Sequence, residues 1–204
     1  VTLPVHVVRT GTANLASVLA GLTRAGGRPV LTDSPEDVRR ADRVMLPGVG
    51  AFGAAAAELA AKGLIDALRE RATAGRPTMG ICLGMQLFAE HSEESPGVPG
   101  LGVFPGAIQR FRDESVRIPQ LGWNHIEPEP GCRLLRPGHV YFANSYRLAR
   151  APEGWHVARS THGEPFVAAL ERGPVLLCQF HPELSGAFGR ELLSRWLDAG
   201  ARPC

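Results

Sequence analysis

A lone cysteine between two glycines, Gly80-Ile81-Cys82-Leu83-Gly84, falls where a strand pattern hands over to a helix pattern. Before it runs Pro77-Thr78-Met79-Gly80-Ile81, apolar and strand-like; after it runs Met85-Gln86-Leu87-Phe88-Ala89, helix-like. This junction constrains the fold more than any other stretch. The chain must turn sharply from strand into helix on the cysteine, in a strained, exposed backbone conformation for which the flanking glycines leave room. A helix start then points backbone N–H groups at that residue, which favours a thiolate and any oxyanion formed beside it.

Far downstream, His181-Pro182-Glu183 directly follows the apolar strand pattern Val175–Phe180. A cysteine nucleophile, a histidine base and a carboxylate to orient the histidine make a complete acyl-transfer set. Each part alone is weak. A cysteine is usually a small buried hydrophobe, the histidine could be an ordinary partly buried one, and Glu183 could be a plain surface acid. Their order, each after a predicted strand, makes the set specific.

The first half of the chain alternates strand and helix patterns. Val5–Arg9 reads as a strand, and Leu15, Val18, Leu19 and Leu22 repeat at helical spacing between Asn14 and Ala25. Arg28–Leu31 is a short strand, and Ser34-Pro35-Glu36-Asp37 is a helix start with a capping hydroxyl, a first-turn proline and acids at the positive end. Arg43–Leu46 is the next strand, ending in Pro47-Gly48-Val49-Gly50. A helical stretch from Ala54 to Ala74 is interrupted at Gly63. Such repeated units imply a mostly parallel sheet covered by helices on both faces. The second half differs: Ile108–Phe111, Val140–Tyr146, Trp155–Ser160 and Phe166–Leu170 are short strand patterns between turns, which predicts a small antiparallel sheet. A last helix runs from Ala187 to Ala199. In open parallel sheets, sites form beyond the carboxyl ends of strands, so Cys82, His181 and the Pro47–Gly50 loop are expected at one edge.

Composition narrows the class. At 204 residues the chain can bury a full core. A net charge of +2 gives no argument for nucleic acid, and no apolar run approaches the ~20 residues of a membrane span. The first residues, Val1–Arg9, read as a strand rather than a secretory signal. The four cysteines, Cys82, Cys132, Cys178 and the terminal Cys204, show no paired spacing, so neither a zinc site nor a disulfide framework is expected; this usage fits a reducing cytoplasm. Cys178 alternates within a strand and is expected in the core. The histidines form no ligand spacing, and no metal or cofactor is expected.

Gly80-Ile81-Cys82-Leu83-Gly84-Met85-Gln86 together with His181-Pro182-Glu183 resembles the class I glutamine amidotransferases over essentially the whole chain. The resemblance implies a flavodoxin-like α/β fold, one glutaminase domain over residues 1–204, and hydrolysis of glutamine with ammonia passed to a synthase. Three further segments are similar to the glutaminase subunits of imidazole glycerol phosphate synthase: Pro47-Gly48-Val49-Gly50-Ala51-Phe52-Gly53, Ile118-Pro119-Gln120-Leu121-Gly122-Trp123-Asn124 and Tyr141-Phe142-Ala143-Asn144-Ser145-Tyr146. Carried over by position, the resemblance implies Cys82 as nucleophile, His181 as base and acid, and Glu183 as its orienting carboxylate. It also implies Gln86, Ser145 and Tyr146 as glutamine contacts, and the Val49–Gly50 loop with the Leu83 N–H as oxyanion hole. Pro119, Leu121 and Trp123 would form the face toward a cyclase subunit built as a (β/α)8 barrel, in a cytoplasmic heterodimer. From sequence alone, core packing is as natural for Trp123 as an interface.

Three departures from the family pattern stand out. Asn144 occupies a position that often holds histidine, Leu184 one where lysine is common, and Arg9-Thr10 replaces an acidic-aromatic pair. Alternative readings are a glutaminase for another synthase, such as pyridoxal phosphate synthase, a non-catalytic partner-binding subunit, or a cysteine peptidase on a similar fold.

Overall fold

A computed structural model of the chain describes residues 2–11 and 14–199. Cys204 lies outside the described residues. The parallel half runs β1 (Leu3–Val8), α1 (Leu15–Arg24), β2 (Gly27–Thr32), α2 (Pro35–Arg40), β3 (Val44–Gly48), α3 (Phe52–Ala61), α4 (Leu64–Thr73), β4 (Thr78–Cys82) and α5 (Leu83–Gln86). Then follow β5 (Ala89–Ser92), β6 (Phe104–Arg110), β7 (Gln120–Pro128), β8 (Gly138–Asn144), β9 (Tyr146–Leu148), β10 (His156–His162), β11 (Glu164–Arg172) and β12 (Val175–Cys178). A 3-10 turn over Pro182–Leu184 leads into α6 (Gly186–Ala199).

Local chemistry sets several boundaries. The Asp37 N–H donates to the Ser34 hydroxyl at 3.2 Å to open α2, with Pro35 in the first turn and Arg39 and Arg40 in the last. Gly63 takes a left-handed conformation, φ 67°, and divides α3 from α4 as its position predicts. Two expectations are corrected by long-range contacts. The helix expected over Met85–Ala89 is a single turn ending at Gln86. The carbonyls of Leu87, Phe88 and Ala89 instead accept from the N–H groups of Leu101, Val103 and Gly102, at 2.7, 2.9 and 3.0 Å, which turns Ala89–Ser92 into a strand beside β6. The strand expected over Val140–Tyr146 divides at Ser145, whose carbonyl accepts from the Phe111 N–H at 3.1 Å; β9 then pairs with β6 and β11.

The sheet runs β2-β1-β3-β4-β12-β11-β10-β7-β8, with β5, β6 and β9 attached off this path. The neighbours from β2 to β12 are parallel, and beyond β12 the pairs are antiparallel. Alternate strand residues feed two cores. Val44 and Leu46 of β3 pack with α2, α3 and α4 on one face, whereas Met45 packs with α1 and α6 on the other. Cys178 is fully buried in the second core, and burial pushes its thiol well above the ordinary range. No helix among the described residues is long and apolar enough to cross a membrane.

Register brings the ends of three strands together. Gly48 at the end of β3 pairs with Cys82 at the end of β4, and Ile81 pairs with Cys178 at the end of β12, just before His181.

Candidate active site

Cys82 is the one non-glycine residue with positive φ among the described residues, φ 54° and ψ −113°. Such a conformation costs roughly 1–3 kcal/mol and persists only where the surroundings impose it. The two glycines serve close packing. A Cβ on Gly84 would run into the Leu46 carbonyl oxygen, and one on Gly80 would lie 2.9 Å from Leu177 and 3.0 Å from the Met85 nitrogen. Because α5 is a single turn, the field expected from a helix start reduces to that of its first amides.

His181 follows β12 and is tied to β8, donating its backbone N–H to the Tyr141 carbonyl at 2.9 Å. The Ser185 hydroxyl donates to the His181 carbonyl at 2.7 Å and accepts from the Tyr141 N–H at 3.0 Å. The imidazole Nδ1 lies 2.8 Å from Glu183 Oε1, with side chains 6% and 3% exposed. A carboxylate only accepts, so Nδ1 carries the proton and Nε2 is left for Cys82. Burial pulls the His181 pKa down, but hydrogen bonds to Cys82 and Glu183, together with their charge, push it up harder, to about 10. The Glu183 turn fits because α1 carries glycine at position 21, where a Cβ would lie 3.0 Å from Glu183 Cβ. The helical pattern alone gave no sign of that close approach.

An open cavity of about 300 Å³ gathers most of the expected site. The buried Cys82, Leu83, Gln86 and His181 make its inner wall; Val49, Gly50, Ser145 and Tyr146 also line it, and the exposed Pro119 and Leu121 form part of the rim. Glu183 stands behind His181 and does not line the cavity. Trp123 lies farther along β7, edge-on to Tyr141 at 6.3 Å between ring centroids. It is 57% exposed and Leu121 is 66% exposed, which removes core packing as the reading of Trp123. Val49 and Leu184 are also exposed large apolar residues.

Several site residues were not singled out from sequence. Glu94 lines the cavity and accepts the Phe52 N–H at 2.8 Å, while Ser95 accepts the Gly53 N–H at 2.9 Å. They cap α3, whose own N-cap Ala51 has no side-chain oxygen. On the other flank the buried Thr10 donates its hydroxyl to the Pro47 carbonyl at 3.3 Å. The loop from Gly48 to Ala51 is thus anchored at both ends, and Gly50 within it has φ 91°. The Ala143 carbonyl lies 3.8 Å from Cys82 Sγ. Asn144 donates to the Tyr146 carbonyl at 3.0 Å, and its Oδ1 is buried with no hydrogen-bond partner among the described residues.

A family model, Glutamine amidotransferase class-I, matches residues 28–199. The chain belongs to the class I glutamine amidotransferases. As an amidotransferase of this class it is similar to the imidazole glycerol phosphate synthase subunit HisH of Salmonella typhimurium, 39% identical over 198 residues that span 95% of this chain and 98% of the relative. The HisH of Pectobacterium atrosepticum is 40% identical over 200 residues, spanning 96% of this chain and all of that relative. Among solved structures, a glutamine amidotransferase superposes with TM-score 0.76 at 22% identity, covering 97% of this chain and 99% of that one. A chain of PurLQS from Thermotoga maritima superposes with TM-score 0.74 at 18% identity, with 97% of this chain and 99% of that one covered. These two structures establish the amidotransferase fold.

Proposed function

We propose that the chain is the glutaminase subunit of an imidazole glycerol phosphate synthase. In this reading it hydrolyses L-glutamine to glutamate and ammonia. The ammonia passes to a cyclase subunit with a (β/α)8 barrel, which makes imidazole glycerol phosphate and an aminoimidazole carboxamide ribonucleotide in histidine biosynthesis, in the cytoplasm. The observation that carries the chemistry is Cys82, held at positive φ on the cavity wall beside a buried His181–Glu183 pair. Near-full-length likeness to proteins named HisH supports the choice of synthase.

The Cys82 thiolate attacks the side-chain carbonyl of glutamine, and the tetrahedral oxyanion is held by the Leu83 N–H and a donor from the Val49–Gly50 loop. One such donor typically contributes ~3–4 kcal/mol. His181 enters the reaction cationic and gives its proton to the departing nitrogen, so ammonia leaves and a glutamyl thioester remains. Thioester formation removes the negative sulfur, one of the causes that hold the His181 pKa up. The imidazole, having given up its proton, is then a neutral base, able to take a proton from water as the water attacks the thioester. Glu183 orients the ring through both steps. Gln86 contacts the bound glutamine, and Ser145 and Tyr146 hold its amino-acid end.

Pro119 and Leu121 on the rim, with Trp123 farther along β7, form the cyclase face. Because the loop is anchored at both ends and carries glycine at position 50, the Val49–Gly50 peptide can reorient at small cost. Docking of a primed cyclase can therefore present the second oxyanion donor. The test is ammonia release from glutamine by the chain alone, with the cyclase, and with the cyclase plus its nucleotide substrate. Feeble activity alone and at least tenfold stimulation by the liganded partner is the expected result. Full activity alone, unchanged by the partner, would refute the coupling.

A further inference from the structure

A chain of hydrogen bonds runs from the substrate cavity to the nucleophile through a residue that the steps above do not use. Gln86 lines the cavity. Its side-chain NH2 donates to the Tyr146 carbonyl at 3.2 Å and to Gln179 Oε1 at 2.9 Å. Gln179 is fully buried, its backbone N–H is fixed on the Ala168 carbonyl at 2.9 Å, and its own NH2 donates to Cys82 Sγ at 3.7 Å.

The polarity of this chain follows from its one backbone member. A side-chain amide can exchange its oxygen and nitrogen by a flip, but a carbonyl oxygen can only accept. Facing Tyr146, Gln86 must therefore turn its NH2 inward, and the second hydrogen of that group reaches Gln179. Gln179 must answer with its oxygen, which turns its NH2 toward Cys82. Besides the His181 imidazole that faces it, the sulfur then has two unlike neighbours: the Ala143 carbonyl, which can only take a thiol proton, and the Gln179 NH2, which offers the sulfur a proton of its own. The acceptor favours the thiol and the donor favours the thiolate.

We propose that Gln179 is a positioning residue that holds the Cys82 sulfur as a thiolate, and that Gln86 sets its orientation. The residue that meets glutamine thereby also sets the readiness of the nucleophile. This rests on Cys82 being the nucleophile.

The test is the pH dependence of Cys82 alkylation by iodoacetamide in the full chain, read at the Cys82 peptide by mass spectrometry. Gln179→Met keeps the length of the side chain and removes the donor. The alkylation midpoint should rise by about one pH unit, and kcat for glutamine at neutral pH in the cyclase complex should fall about tenfold with KM little changed, the loss of one hydrogen bond to a charged group. Gln179→Glu, close in shape, should raise the midpoint further. Gln86→Met, which does not touch the sulfur but frees Gln179 to turn, should shift the midpoint in the same direction. An unchanged midpoint in Gln179→Met overturns the proposal, even if Gln179→Glu moves it, because a bare charge effect would then suffice. Failure of the underlying reading has a separate signature: glutamine hydrolysis surviving in Cys82→Ala.

Discussion

On the inner wall of the cavity, His181 meets Glu183 behind it at 2.8 Å, with both side chains out of water; outward of that wall, Leu121 on the rim, Trp123 farther along β7 and Leu184 in the turn after Glu183 stand exposed. The inner wall is built by this chain alone, from a strained turn, a strand end and a short 3-10 turn that β8 holds in place. The rim is apolar surface of the kind that marks a docking site. Changes to the inner wall should therefore alter chemistry, and changes to the rim should alter assembly while leaving the isolated fold intact.

The sharpest break of that division is Cys82→Ala. Glutamine hydrolysis should fall by at least about 10⁴-fold, while cyclisation fed with ammonium salt by the same complex continues. Both activities are measured on one preparation, so loss of the ammonia-fed reaction as well would show that the inner wall also carries the docking.

His181 gives the same division a pH signature. Its pKa is raised from the ordinary 6.5 to about 10. The stability this contributes is complete below pH 6.5 and is lost as pH rises through 10, because the folded state then gives up a proton that the unfolded state has already lost. The ring should titrate near 10 by NMR and at lower pH in Cys82→Ala, which removes one hydrogen bond and one charge. A midpoint unmoved by Cys82→Ala would mean that Glu183 alone sets it.

Legibility in sequence followed distance along the chain. The Cys82 turn could be read because its determinants, Gly80 and Gly84, lie within two positions of it, and Gly63 announced its helix break in the same way. His181 and Glu183 could be paired locally, and the parallel topology brought them to Cys82. Where a distant segment took over hydrogen bonds, the reading failed. The 101–103 loop captures the carbonyls that would have continued α5, and Glu94 caps α3 from 42 positions away. Gln179 falls in the apolar run before His181, and only the Tyr146 carbonyl reveals which way its amide faces. Trp123 stayed ambiguous because alternation puts it on one face of the strand with Leu121 but does not say whether that face is covered.

On the exposed face of β7, Trp123→Ala should lower the melting temperature of the isolated chain by no more than about 5 °C, since more than half of the side chain is exposed and its remaining packing is partial. The same change should weaken cyclase binding by roughly 10–100-fold, the order of the ~1.5–3 kcal/mol that burial of a large apolar side chain contributes. Calorimetric titration against the cyclase and a thermal scan of the free chain check the two halves. A large loss of stability in the free chain would move Trp123 from that face to the core.

The smallest effect belongs to Leu184. It is 39% exposed against 57% for Trp123, on a smaller side chain, so it has much less surface left to bury on docking. It lies in the turn beside Glu183, and a partly solvated ion pair placed there by a lysine would contribute only ~0–1 kcal/mol. Leu184→Lys therefore exchanges a small apolar contact for a small polar one. Binding should change by less than tenfold in either direction, and glutaminase activity of the free chain should not change, because the turn geometry that places Glu183 depends on the backbone and on Ser185 rather than on the side chain at 184. Titration of Leu184→Lys beside Trp123→Ala against one cyclase preparation tests the order. A shift above tenfold for Leu184→Lys with wild-type binding for Trp123→Ala would relocate the docking centre from the exposed face of β7 to the turn behind His181, and would make partner contact and proton transfer neighbours rather than separate walls of the same cavity.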